Sequence, residues 1–318
     1  MESFSARRAA IIYNPVARGL SRHLGQLQRT IDILAKQGID ATAIPTTAPG
    51  TAGALARRQI DAGCDLIIAA GGDGTINEVV SGMLHSSIPL AILPGGTANV
   101  LAREIKLPIH IEKAAQSLSS LQPCRVSVGE LKVTGEPEKW FVCMAGVGLD
   151  AEIVCRLNLD LKAAAGKFAY YVGGFAQVFR PLREFELLVD GRRYQASFAL
   201  MSRVRNYGGD LHIARGASLL REEFEIVLFR GTASFRYLAY LLGVAVGQAH
   251  RISGCTFLRG RSVSCLQSEN ADIFVQIDGE LAGKLPVKVE LVSDALTLLV
   301  PPSYLATERT IAKLPAYA

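Results

Sequence analysis

DLIIAAGGDGTINEVVSGM, residues 65–83, is the stretch on which the reading of this chain turns. An apolar run, Leu66 to Ala70, feeds Gly71-Gly72-Asp73-Gly74 and then a helix-like segment. Glycines at a strand-to-helix turn let backbone approach a phosphate closely, and the first helical amides point at it. Asp73 is out of keeping with that, because it places a carboxylate where an anion would lie. Such an acid is tolerable beside a triphosphate if a cation lies between them or if it orients a donor. Asp73 is therefore read as a holder of the nucleotide's Mg²⁺, directly or through water. The loop is not GxGxxG and no GK[ST] follows it, so neither a dinucleotide fingerprint nor a P-loop is supported.

About twenty residues on, PLAILPGGTANVLAR (89–103) repeats the design. Both loops end in Gly-Thr-x-Asn at the start of a helix, Gly74 to Asn77 and Gly96 to Asn99, and Thr75 and Thr97 stand where N-caps belong. Working outward, strand-type runs alternate with helical ones: 9–13 with 22–37, 38–45 with 50–62, 65–71 with 75–84, and 89–95 with 97–104. That alternation predicts a parallel sheet covered by helices over residues 1–124. Ligands collect beyond the carboxyl ends of such strands. Here those ends carry Asn14-Pro15, Thr46-Thr47, Gly71 to Asn77 and Gly95 to Asn99.

From residue 125 to 300 the texture changes to many short strands with turn signals, which predicts an antiparallel β-sandwich. Helical segments are expected at 161–180 and 233–250, and residues 301–318 are expected to return to the first domain. The fold class is thus α/β: a three-layer nucleotide-binding domain plus a β-sandwich domain.

A chain of 318 residues, 49% apolar and 20% charged, accommodates two such domains. The net charge of +5 suits an anionic substrate or membrane surface without singling either out, and nothing speaks for a nucleic-acid partner. Six cysteines without CxxC or metal-ligand spacing read as reduced thiols of a cytoplasmic protein. The apolar run Ala9 to Tyr13 is too short for a signal peptide, and 237–247 falls short of the roughly 20 residues a bilayer requires.

The combination of Asn14-Pro15, Thr46 with Pro49-Gly50 and Ala52, GGDGTINEVV, LPGGTANVLAR, GVGLDA (146–151) and DGE (278–280) resembles the diacylglycerol kinase catalytic-domain family, in particular its bacterial soluble lipid kinases. The resemblance implies ATP and Mg²⁺ as cofactors and an active site between the two domains. ATP would lie against Thr46, the loop Gly71, Gly72, Asp73, Gly74, Thr75, Ile76, Asn77, and the loop Gly95, Gly96, Thr97, Asn99, with Asn14 and Pro15 nearby. Asp278 would be the general base toward a lipid hydroxyl, with Glu280 close by. A local warning accompanies this: VDGRRY (189–194) has the same strand, Asp-Gly, strand pattern as IDGELA (277–282), and both read as hairpins.

The resemblance also implies a structural Mg²⁺ in the second domain, held by an aspartate and two carbonyls. In GASLLREEFEIVLF (216–229) that aspartate position is Arg221, leaving the carbonyls of Ser218 and Glu223. Two readings stay open: Arg221 bridges carboxylates such as Asp278 or Asp150 in the ion's stead, or activity is lost. The segment 166–183, aromatic with basic ends, suits either a membrane interface or a buried helix. The expected partner is a lipid substrate met at the membrane surface, by a cytoplasmic protein transiently associated with it, and a homodimer is compatible with the sequence. Alternatives are an NAD kinase-like enzyme and a non-catalytic nucleotide- or lipid-sensing homologue.

Overall fold

The computed structural model describes residues 8–17, 24–149, 151, 183–207, 211–232, 240, 243, 252–266 and 272–311. The chain divides into two compact units, residues 1–128 with 293–316, and residues 129–292. The return to the first unit therefore comes at Ser293, within a strand, where the sequence put it at Pro301.

In the first unit, four strands form a parallel sheet in the order Asp40–Pro45, Arg8–Tyr13, Leu66–Gly71, Leu90–Pro94. The last part of strand Val287–Val300 joins it, with Leu298 opposite Leu90 in parallel. The two inner strands, LIIAAG and LAILP, are buried at every position. That is why they read as continuous apolar runs instead of alternating ones: helices cover both faces of a parallel sheet. The strand order reverses direction between Arg8–Tyr13 and Leu66–Gly71, and a doubly wound sheet opens its ligand crevice at such a point.

The covering helices are Leu24–Lys36, Ala52–Asp61, Asp73–Met83, Val100–Glu104 and Ile111–Ser117, with Pro302–Ile311 at the end of the chain. Two of them cross at glycines. A Cβ on Gly82 would lie 2.0 Å from the Gly53 carbonyl oxygen, so helices Ala52–Asp61 and Asp73–Met83 approach closer than any other residue pair would let them.

The second unit is built from antiparallel strands. One sheet runs Cys255–Gly260, Phe224–Phe229, Phe198–Ser202, Met144–Gly148, Phe274–Ile277, Glu280–Lys284. Strands Ser262–Cys265, Phe185–Val189 and Arg192–Ala196 pair in sequence beside the first part of Val287–Val300. Phe141, Phe185, Met201, Phe224 and Ile226 belong to the core cluster, and the Phe141 and Phe224 rings stack 5.8 Å apart. The sandwich fold predicted from strand spacing is thus present. CTFLRG, not singled out in the sequence, forms the edge strand Cys255–Gly260, and the apolar run WFVCMAGVG (140–148) is an interrupted strand, split at Val142-Cys143 into Lys139–Phe141 and Met144–Gly148.

The helical segment read at 161–180 lies outside the described residues, as does the interface-like stretch 166–182. Of 233–250 only Tyr240 and Gly243 are described, both helical, and Tyr240 is fully buried against Phe198 and Phe229. Among the described residues, no helix is long and apolar enough to cross a membrane.

Candidate functional site

Four loops leave the carboxyl ends of the parallel strands, and backbone hydrogen bonds tie them side by side. Asn14 N–H donates to Ala70 O at 3.2 Å and Thr46 N–H to Tyr13 O at 2.9 Å. The Asn14 side chain also closes its own turn, its Oδ1 accepting from Val16 N–H at 3.0 Å. Exposed Pro15 follows it.

The two glycine loops touch. Gly95 N–H donates to Gly71 O at 2.8 Å, and a Cβ on Gly96 would stand 2.5 Å from the Gly72 Cα. Contact this close is available only between two glycines, which explains the doubled GG in both motifs.

Asp73 has a role the sequence did not suggest. It is the first residue of helix Asp73–Met83, and its Oδ1 accepts from Val100 N–H at 2.7 Å, capping helix Val100–Glu104 of the neighbouring loop. Burial pushes its carboxyl above the ordinary aspartate range, while the amides of Val100, Leu101 and Asn99 pull it back down. The acid in the anion loop is thus first a clasp between two loops. Part of the second loop's donor capacity is spent on that clasp.

Asn99 consumes more of it. Held in the left-handed region at φ 50°, it caps Gly96 from both sides: Oδ1 accepts from Gly96 N–H at 2.8 Å, and Nδ2 donates to Gly96 O at 2.9 Å. This corrects the expected caps. The residues preceding the helices are Gly72 and Asn99, not Thr75 and Thr97. Thr75 lies buried in the first turn, with its Oγ1 2.8 Å from where a Gly71 Cβ would be, and Thr97 is exposed in the loop. Donors still open are the first helical amides, Gly74 and Thr75, which no α-helix satisfies internally, together with the exposed Thr97 side chain. Ile76 turns into the core, while Asn77 Oδ1 is buried with no hydrogen-bond partner among the described residues.

Glu78 was overlooked in the sequence. Its Oε1 accepts from Gly50 N–H at 2.8 Å and its Oε2 from Ala52 N–H at 3.0 Å. Helix Ala52–Asp61 has no side-chain cap of its own, since Thr51 Oγ1 donates to Ala48 O. A carboxylate from the adjacent helix supplies it, and so fixes the loop that follows Thr46 to the glycine-loop helix. The signal was an acid one turn into a helix opposite PGTA. Glu78→Gln turns an NH₂ toward a backbone N–H, and is expected to lower stability by about 1–2 kcal/mol, read as a lower Tm.

In the second unit, Asp278 is at φ 46° and Gly279 at φ 85°, a two-residue turn with both angles positive. The Asp278 carboxylate accepts three amides of the interrupted strand: Val142 at 2.9 Å, Cys143 at 3.0 Å and Met144 at 2.8 Å. Asp278 N–H in turn donates to Met144 O at 2.9 Å. Asp190, at φ 45° before Gly191, does the same with Arg261 and Ser262 amides at 2.9–3.2 Å. The likeness between the two hairpins therefore extends to their hydrogen bonds. Glu280 beside the turn is exposed.

The first of the two readings had Arg221 bridging carboxylates such as Asp278 or Asp150. Among the described residues, no hydrogen bond or ion pair joins it to Asp278, its Nε is buried without a hydrogen-bond partner, and the carboxylate that feels its charge is Glu225. Asp150 lies outside the described residues.

Comparison with known proteins matches residues 8–131 to the diacylglycerol kinase catalytic domain and residues 143–300 to the YegS C-terminal NAD kinase beta sandwich-like domain. A diacylglycerol kinase of Bacillus subtilis (strain 168) is 29% identical over 289 residues, covering 88% of this chain and 92% of that protein. Another, from Staphylococcus saprophyticus, is 28% identical over 287 residues, covering 88% and 91%. The fold matches a crystal structure of a diacylglycerol kinase from Bacillus anthracis str. Sterne with a TM-score of 0.75, at 24% identity over 94% of this chain and 99% of that one. With both halves matched in order and the glycine loops in contact, the chain belongs to the diacylglycerol kinase catalytic-domain family.

Proposed function

We propose that this lipid kinase transfers the γ-phosphoryl group of ATP to a free hydroxyl of a membrane lipid, diacylglycerol or a related glycerolipid or sphingoid alcohol. The observation that carries the reading is the contact between the Gly71–Gly74 and Gly95–Gly96 loops at the carboxyl ends of the parallel strands. Phosphoryl transfer asks a protein mainly for positioning and charge neutralisation. The helical amides of Gly74 and Thr75 and the Thr97 hydroxyl supply donors for the phosphates. Thr46 and the Asn14-Pro15 turn border the same mouth of the sheet and would flank the nucleoside.

Mg²⁺ carried by the nucleotide neutralises its phosphate oxygens. The protein's fit to that ion rests on Asp73, a carboxylate that burial penalises and a nearby cation would relieve, and on the unpartnered Asn77 Oδ1. Among the described residues, no group of three or more His, Cys, Asp or Glu is placed to hold a metal by itself. This suits an ion that arrives with the phosphates.

Asp278 is the proposed proton acceptor. Three amides of the adjacent strand hold its carboxylate and orient it, which supports a fixed acceptor for the proton of a lipid hydroxyl. Contact with the membrane is peripheral in this reading.

The test is transfer of labelled phosphate from ATP to a total lipid extract, with NAD as a parallel acceptor. Labelled phospholipid is the expected product. Labelled NADP with unlabelled lipid would replace this reading with the NAD kinase one, and ATP binding without any transfer would favour a sensor.

A further inference from the structure

Arg203 follows strand Phe198–Ser202 and is fully buried, a state arginine rarely reaches without partners for its fixed fork of donors. The partners come from one turn. Arg203 Nη2 donates to Leu219 O at 2.6 Å, and Nη1 donates to Glu223 O at 3.0 Å and to Arg221 O. Its own N–H donates to Cys143 O at 2.8 Å, anchoring the residue to the neighbouring strand.

Carbonyls at 219, 221 and 223 thus converge on a single cation. Oxygens aimed at one point repel unless positive charge lies among them, which is the condition that makes a carbonyl cluster a metal site. The residues here do not fit a divalent ion. The position that family resemblance gives to a carboxylate is Arg221, and Glu223 O, one of the two expected carbonyl ligands, is committed to Arg203. The other, Ser218 O, accepts from Arg221 N–H at 3.2 Å within the turn.

We propose that the Arg203 guanidinium is the resident cation of the 216–223 turn, standing where a structural divalent ion would otherwise be needed, so that the second unit holds its fold without metal. A guanidinium cannot be chelated away, and it does not titrate in the range where proteins fold. Buried Glu225 packs against the same turn: its Oε1 accepts from Gly216 N–H at 3.3 Å, and the Arg259 Nε is 3.9 Å from its Oε2. There is no room to spare, since a Cβ on Gly216 would lie 2.3 Å from Glu225 Oε2.

Thermal unfolding of the full chain, without nucleotide or lipid, tests this independently of the kinase reading. In excess EDTA and in millimolar MgCl₂ or CaCl₂ the midpoints are expected to coincide. An ion bound at a hundredfold excess over its Kd would raise the midpoint by about 5 °C or more. Arg203→Met, of similar length but unable to donate, leaves the three carbonyls unpaired and is expected to lower the midpoint by several degrees or to prevent folding. A wild-type midpoint that climbs with divalent ion, or an Arg203→Met midpoint equal to wild type, overturns the proposal.

Discussion

Asp278→Asn is expected to lower kcat by about 10²–10⁴-fold, the range that a lost general base costs, while Asp190→Asn leaves kcat near wild type. The pair is informative because the two hairpins are structural twins. Each aspartate lies at a positive φ before a glycine, and each carboxylate binds amides of an adjacent strand. Asparagine in either place removes the charge from those bonds and turns an NH₂ toward an N–H, costing about 1.5–3 kcal/mol for each bond to charge that is lost. Both variants should therefore melt earlier, whereas only one should lose chemistry. If kcat falls in neither or in both alike, Asp278 merely folds its hairpin and the base is elsewhere, with exposed Glu280 the next residue to replace.

Gly96→Ala should be as damaging, by a different route. The added methyl would stand 2.5 Å from the Gly72 Cα and 2.9 Å from Asn99 Oδ1. The nearer atom is backbone and the Asn99 amide is tied to Gly96 by two hydrogen bonds, so the two loops must part. Displacing donors by about 1 Å costs on the order of 10²-fold in a positioned reaction, and a loss of that size in ATP affinity is expected by calorimetry. Gly72→Ala, whose methyl would meet Gly96 Cα at 3.3 Å, should show a milder version of the defect. Wild-type ATP affinity in Gly96→Ala would mean that the paired loops do not jointly hold the nucleotide.

Much of this was legible in the chain because it is written locally. The runs LIIAAG and LAILP declare buried parallel strands, and the doubled glycines declare tight turns. What stayed hidden depends on partners distant in sequence. Asp73 sits where a metal-binding acid would, and only its approach to Val100 N–H reveals the clasp. Thr75 has the composition of an N-cap, yet the helix starts two residues earlier at Asp73, and the hydroxyl packs under Gly71. Glu78 answers an uncapped helix 26 residues upstream. Arg203 is silent in the sequence: nothing around SRVRNY says that three carbonyls sixteen to twenty residues on will close over it. Arg221 was visible as a departure from the family pattern, but the arginine that the carbonyls of this turn meet is Arg203.

Strand Val287–Val300 begins beside Ser262–Cys265 in the second unit and ends beside Leu90 in the first. Gln122–Val133 likewise passes from one unit to the other without a break. The parallel-sheet half is consequently not a detachable module. A polypeptide stopped before Ser293 would lack the neighbour of Leu90–Pro94 and bare an apolar edge that invites self-association. Evolution by shuffling this half onto other partners would have to carry the carboxyl-terminal strand with it.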